Sequence, residues 1–137
     1  MIKDIVCDDF FLSMKSEEAT KDDLYIAKDL LDTVEANRSR CVGMAANMIG
    51  YLKQILVFLD TDNSYKIMIN PVIKEKSIPY KAKEGCLSHK GQKECQRFKK
   101  IKVLYYDTSF KIKIKTYTDF TAEIIQHEMD HFEGKLI

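Results

Sequence analysis

The chain has 137 residues, 45% of them hydrophobic, with 22 basic against 21 acidic side chains and a net charge of +1. That length suits one domain with one core, spanning residues 1–137. The charge balance gives no specific pull on nucleic acid or an anionic membrane surface, and no apolar run approaches the roughly 20 residues needed to cross a bilayer. The first residues, Met1-Ile2-Lys3-Asp4, lack a signal-like apolar core, so a cytoplasmic location is expected. Four cysteines, Cys7, Cys41, Cys86 and Cys95, match neither a CxxC zinc pattern nor a dense disulfide framework. In a reducing compartment they are thiols.

Residues 1–19 read as an irregular arm. A helix is expected over 20–37, where Thr20 and Asp23 fit a capping box. Leu24, Ala27, Leu30, Leu31 and Val34 recur there at helical spacing. Residues 40–50 are apolar and small and read as a tight helix-to-strand connection. Within them, Gly43 would let another backbone, such as an extended peptide, come close. Residues 54–59 read as a buried strand, 60–64 as a turn and 65–70 as a returning strand. The acids of that turn lack the Gly and terminal Glu of a calcium loop. Asn70-Pro71 ends the strand, and 72–76 starts another.

Lys83-Glu84-Gly85-Cys86-Leu87-Ser88-His89 follows, reading as an exposed loop around His89. Residues 101–106 form a strand. Residues 110–117 alternate with period two, placing Phe110, Ile112 and Ile114 inward and Lys111, Lys113 and Lys115 outward. A last helix over 119–133 is capped by Thr118 or Asp119 and ended by Gly134. Phe120, Ile124, His127 and His131 share its core-facing side, flanked by Ile125 and Phe132.

That helix carries Gln126-His127-Glu128-Met129-Asp130-His131, which contains His-Glu-x-x-His. Residues four apart on a helix share a face, so His127 and His131 can hold one metal ion between them. Glu128 is then placed to take a proton from a water at that ion. A catalytic site of this kind wants three protein ligands and one open position. The residues after His131 offer little, so the third ligand is sought upstream. Cys86, between Gly85 and Leu87, is the best-placed candidate, with His89 the competitor. Two neutral imidazoles and one thiolate leave a site of charge +1 around a divalent ion.

Three segments resemble the peptide deformylase family. Cys41-Val42-Gly43-Met44-Ala45-Ala46-Asn47-Met48 is similar to the family's Gly-φ-Gly-φ-Ala-Ala-x-Gln, where φ is apolar. Glu84 to Ser88 repeats Glu-Gly-Cys-Leu-Ser, and Gln126 to His131 repeats Gln-His-Glu-x-Asp-His. The resemblance implies an α+β fold, with antiparallel sheets packed around the C-terminal helix. It implies a metal-dependent hydrolase that removes the N-formyl group from the N-terminal methionine of new proteins. Cys86, His127 and His131 would bind one divalent metal, Fe2+ natively, with Zn2+, Ni2+ or Co2+ as substitutes. Glu128 would be general base and then acid, and the Leu87 N–H would help hold the oxyanion. Gly43, with Val42, Met44 and Met48 around it, would meet the substrate peptide. Formylated nascent chains would be the partners, with transient ribosome contact.

The chain departs from the pattern at three places. Cys41 replaces the leading Gly. Met48 replaces a Gln that donates a hydrogen bond at the reaction centre, and a thioether offers no donor. Asn47 carries an amide one position earlier, but its side chain is expected to point elsewhere. Glu123 stands one turn before His127, where an apolar pocket residue is expected. These departures leave two alternatives: a catalytically impaired deformylase-like protein that binds N-terminal peptides, or a hydrolase for another small acyl amide.

Overall fold

The computed structural model describes residues 1–137. One five-stranded antiparallel sheet runs through the chain, in the order β1-β2-β3-β4-β5. β1 is Gly43–Ala45, β2 Ile55–Leu59, β3 Tyr65–Cys86, β4 His89–Tyr106 and β5 Ile112–Thr118. The helices are α1 Asp9–Leu12, α2 Leu24–Ala36 and α3 Asp119–Phe132. The α+β class therefore stands, with one sheet where the resemblance implied more than one.

β2 explains the arrangement. Its run Ile-Leu-Val-Phe-Leu is apolar on both faces because both faces are covered. Ile55 and Val57 pack with Ile26, Leu30 and Val34 of α2. Leu56 and Phe58 pack with Ala122, Ile124, Ile125 and Phe132 of α3. The start expected for the first long helix divides in two. The capping box forms, with the Thr20 N–H donating to Asp23 Oδ2 at 2.8 Å, but it caps a 3₁₀ turn at Lys21–Asp23 that leads into α2. The 40–50 connection holds β1 and a 3₁₀ turn at Ala46–Ile49.

Four local expectations need correction. Asn70-Pro71 does not end a strand. β3 passes through it at a register shift between Ile69 and Val72, which absorbs the missing proline N–H as a bulge does. The Asn70 side chain is tied to Ala19, accepting from its N–H at 2.8 Å and donating to its carbonyl at 2.9 Å. The stretch around Cys86 is not an open loop either. β3 and β4 form one long hairpin whose strands stay paired up to Cys86 and His89, with only Leu87 and Ser88 between.

The alternation in β5 is present, but its phase is shifted by one residue. Ile112 and Ile114 are 59% and 55% exposed, and Tyr117 is the one buried residue of the strand. Register fixes this. Tyr117 pairs with Ile101 and Lys115 with Val103, so the lysines share the side facing α3. β5 lies at the sheet edge, where long lysine stems reach water from either face. Phe120, expected inward, is 60% exposed.

Candidate metal centre

α3 and the hairpin turn meet at one point. His127 and His131 are buried on α3, one turn apart, and Cys86 closes β3 opposite them. The His127 Nε2 and His131 Nε2 atoms are 3.3 Å apart, and Cys86 Sγ is 3.6 Å from His131 Nε2. All three ligand atoms lie within 4.8 Å of one another. Facing nitrogen lone pairs and a sulfur at these distances repel unless a proton or a cation sits among them. The donor set therefore fits a divalent ion of the softer kind. His89 stands apart from this group, with Nε2 2.8 Å from Asp9 Oδ1. It is partly buried against α1 rather than a free surface histidine.

The outer nitrogen of His127 is fixed by a network the sequence motifs only half announce. Nδ1 lies 2.7 Å from Glu84 Oε1. Glu84 accepts two hydrogen bonds from Arg97, at 2.7 and 3.0 Å, and Arg97 donates a third to Asp130 at 2.6 Å. Such a carboxylate would hold the imidazole in the tautomer whose Nε2 lone pair is free for a cation. Burial alone would raise the Glu84 pKa, but the bonds from His127 and Arg97 hold it well below the usual carboxylate range. Burial alone would lower the His127 pKa, whereas Cys86 and Glu84 raise it to about 10. Burial, with His127 beside it, depresses His131 to about 3. A cation bound among these donors would compete with protons for them. Glu84 and Asp130 lie inside the recognised motifs. Arg97 sits in an unremarkable basic run, and no sequence signal marks it.

Glu128 lies beside the ligands. Its Oε1 is 3.9 Å from His131 Nε2 and, though buried, has no hydrogen-bond partner. Burial raises its pKa to about 7, which suits a group that accepts and returns a proton near neutrality. Gln126 does a different task. Its amide accepts from the Phe98 N–H at 2.9 Å and donates to the Phe98 carbonyl at 2.8 Å, clipping α3 to β4.

These groups open into a cavity of about 410 Å³ lined by Val42, Gly43, Met48, Cys86, Leu87, Phe120, Glu123, Ile124, His127 and Glu128, among others. Met44 does not line it and is wholly buried under α2. Asn47 points away, its Nδ2 donating to the His131 carbonyl at 3.2 Å. Met48 reaches the cavity wall, where its thioether gives no donor. Cys41, also on the wall, is pushed by burial and the nearby Glu128 to a pKa of about 12, so it stays a neutral thiol.

A His-Glu-x-x-His helix, a facing cysteine and an open cavity on an α+β scaffold define a metal-dependent hydrolase. The chain belongs to the polypeptide deformylase family, whose model matches residues 3–137. It is 53% identical to a peptide deformylase of Clostridium beijerinckii over all of both chains. It is 37% identical to peptide deformylase 3 of Shewanella oneidensis, covering 79% of this chain and 68% of that one. A solved structure of peptide deformylase from Thermotoga maritima superposes with a TM-score of 0.87 at 31% identity, covering 99% of this chain and 95% of that one. The protein removes N-formyl groups, its substrates are formylated nascent peptides, and its family implies a catalytic divalent metal.

Proposed function

We propose that Cys86, His127 and His131 hold the divalent ion and that Glu128 carries the proton in deformylation. The carrying observation is the convergence of the three ligand atoms within 4.8 Å beside the unpartnered Glu128 carboxylate. An ion held there would supply Lewis acidity to the formyl carbonyl and would acidify the attacking water. Glu128 accepts the proton that this water loses and delivers it to the amide nitrogen as the C–N bond breaks, so formate and a free amine leave. Leu87, in the turn after Cys86, offers its N–H to the developing oxyanion. Gly43 and Val42, at the open edge of β1, pair with the substrate main chain. Fe2+ is the proposed native ion, by family resemblance, and Zn2+, Ni2+ or Co2+ suit the same donors. The catalytic unit is residues 1–137. Its setting is the cytoplasm, in passing contact with the ribosome, where new formylated termini emerge.

Met48 favours a slower version of this reaction, because its position on the wall supplies no donor to the oxyanion. The test is anaerobic purification with iron, followed by metal analysis and formate release from a formyl-methionyl peptide. The expected result is about one ion per chain, formate release, and its loss in Glu128→Ala. Activity that survives Glu128→Ala overturns the proton-transfer role. Metal retained by Cys86→Ala overturns the ligand set. Activity seen only in Met48→Gln places the native chain with the peptide binders.

A further inference from the structure

Two buried polar atoms at the metal centre lack partners and complement each other. His131 Nδ1 and Asn47 Oδ1 are both sealed from solvent, and neither makes a hydrogen bond. Their residues are neighbours. Asn47 stands in the 3₁₀ turn after β1, is fully buried, and donates from Nδ2 to the His131 carbonyl at 3.2 Å. That carbonyl accepts only from the amide nitrogen, so the oxygen is the free end of the amide. The two histidines differ in this respect. His127 Nδ1 has Glu84 Oε1 at 2.7 Å, whereas His131 Nδ1 has nothing. His131 turns Nε2 toward Cys86 and His127, at 3.6 and 3.3 Å. A neutral ring that gives its Nε2 lone pair to a cation carries its proton on Nδ1 and needs an acceptor there. Glu128 Oε1 approaches the ring at Nε2, 3.9 Å away. The remaining rival is the orphaned Oγ of Ser16, whose backbone N–H donates to the Phe132 carbonyl at 2.8 Å.

We propose that Asn47 is a positioning residue of the metal centre: its side-chain oxygen receives the His131 Nδ1–H, as Glu84 does for His127, and so aims the His131 Nε2 lone pair at the ion. The inference rests on reading His131 as a ligand. Coordination through Nε2 fixes the tautomer that gives Nδ1 a proton to share. The terminal torsions of His and Asn are soft, so ring and amide can turn to close the contact. One amide then serves both ends of the ligand, holding its carbonyl with Nδ2 and its ring with Oδ1.

The experiment uses the zinc-loaded protein. A nitrogen-15 imidazole spectrum is expected to show a His131 Nδ1–H that is protected from solvent exchange and lies in contact with the Asn47 side chain. Zinc affinity is measured by chelator competition for the native chain, Asn47→Ala, Asn47→Asp, Ser16→Ala and His131→Ala. Asn47→Ala is expected to bind about 10- to 100-fold more weakly. Asn47→Asp keeps an oxygen at that place and is expected to recover most of the affinity. Ser16→Ala is expected to bind as the native chain does. A merely structural role would lower the unfolding midpoint of the metal-free Asn47 variants and leave zinc affinity unchanged. Native affinity in Asn47→Ala therefore overturns the proposal. So does a His131 Nδ1–H that exchanges freely with solvent or contacts Ser16, a result that needs no variant to fold. Zinc held at full affinity by His131→Ala overturns the ligand reading itself, which the other outcomes leave standing.

Discussion

At Gly43 the helix α3 comes close against the edge strand β1. A Cβ there would stand 2.7 Å from Ile124 Cγ2, 3.0 Å from Glu128 Oε2 and 3.1 Å from the Val57 carbonyl. The glycine was expected to admit a substrate backbone, and its first use is to admit Glu128. Gly43→Ala is expected to displace the Glu128 carboxylate and lower kcat at least tenfold, with metal content unchanged. A variant with native kcat would show that α3 gives way without cost. Met48→Gln is expected to act in two directions. The new amide offers the missing donor and raises kcat by up to about 100-fold, while burying a polar group beside Ile26 and Leu30 lowers stability by about 1–3 kcal/mol. A rise in kcat together with a lower unfolding midpoint is the result to look for. At this scale the sequence was informative where chemistry demands one residue type, as at His127, His131 and Cys86. It was silent on Arg97, because a buried guanidinium and a solvated one look alike in a basic run.

The element that matters most is the long β3–β4 hairpin, which delivers Cys86 from one strand and Arg97 from the other. Arg97 is 4% exposed and holds Glu84 and Asp130 together. Arg97→Met leaves both carboxylates without their cation, and removing one partner of a buried pair costs about 3–5 kcal/mol. The unfolding midpoint should fall by roughly 10 °C or more, and metal affinity should fall with it because Glu84, which orients His127, loses the guanidinium that anchors it. Native metal affinity in the variant would separate the network from the metal site. The same hairpin holds Ile78 at φ 63°, 57% exposed, a conformation that β-branched residues rarely adopt. Ile78→Asn is expected to raise stability by about 1 kcal/mol, read as a higher urea midpoint. Elements were legible where burial on both sides left a continuous apolar run, as in β2. Phase was not legible in β5, because Ile and Lys alternate equally well in either register and only the pairing with β4 decides.

Across the whole molecule, the ligands tie the C-terminal helix to the hairpin tip, so an ion that binds the folded form stabilises it by mass action. At a free concentration about 100 times Kd the gain is about 2.7 kcal/mol, and a strong chelator should remove it, measured as a drop in unfolding midpoint. Acid should weaken the same junction. The folded-state pKa of Glu84 lies below its unfolded value, so its contribution is full above the unfolded carboxylate value of about 4.3 and is lost as pH falls below it. Urea midpoints measured from pH 6 to pH 3 should fall more steeply for the native chain than for Glu84→Gln. Equal slopes would remove Glu84 from the acid response.

β1 is three residues long, pairs on one side only with β2, and borders the cavity at Gly43. An edge of that kind reads amide groups, which every polypeptide carries, and not side chains. Generality and discrimination are thereby assigned to different parts of one groove. On the proposed reading, the main chain would register the polymer and the cavity wall would inspect a single residue. A peptide whose amide nitrogens beyond the first residue are methylated should lose affinity whatever its side chains, whereas exchanging those side chains should change little. An editor that must act on thousands of different chains, yet only at their first residue, is served by a reader blind to everything downstream.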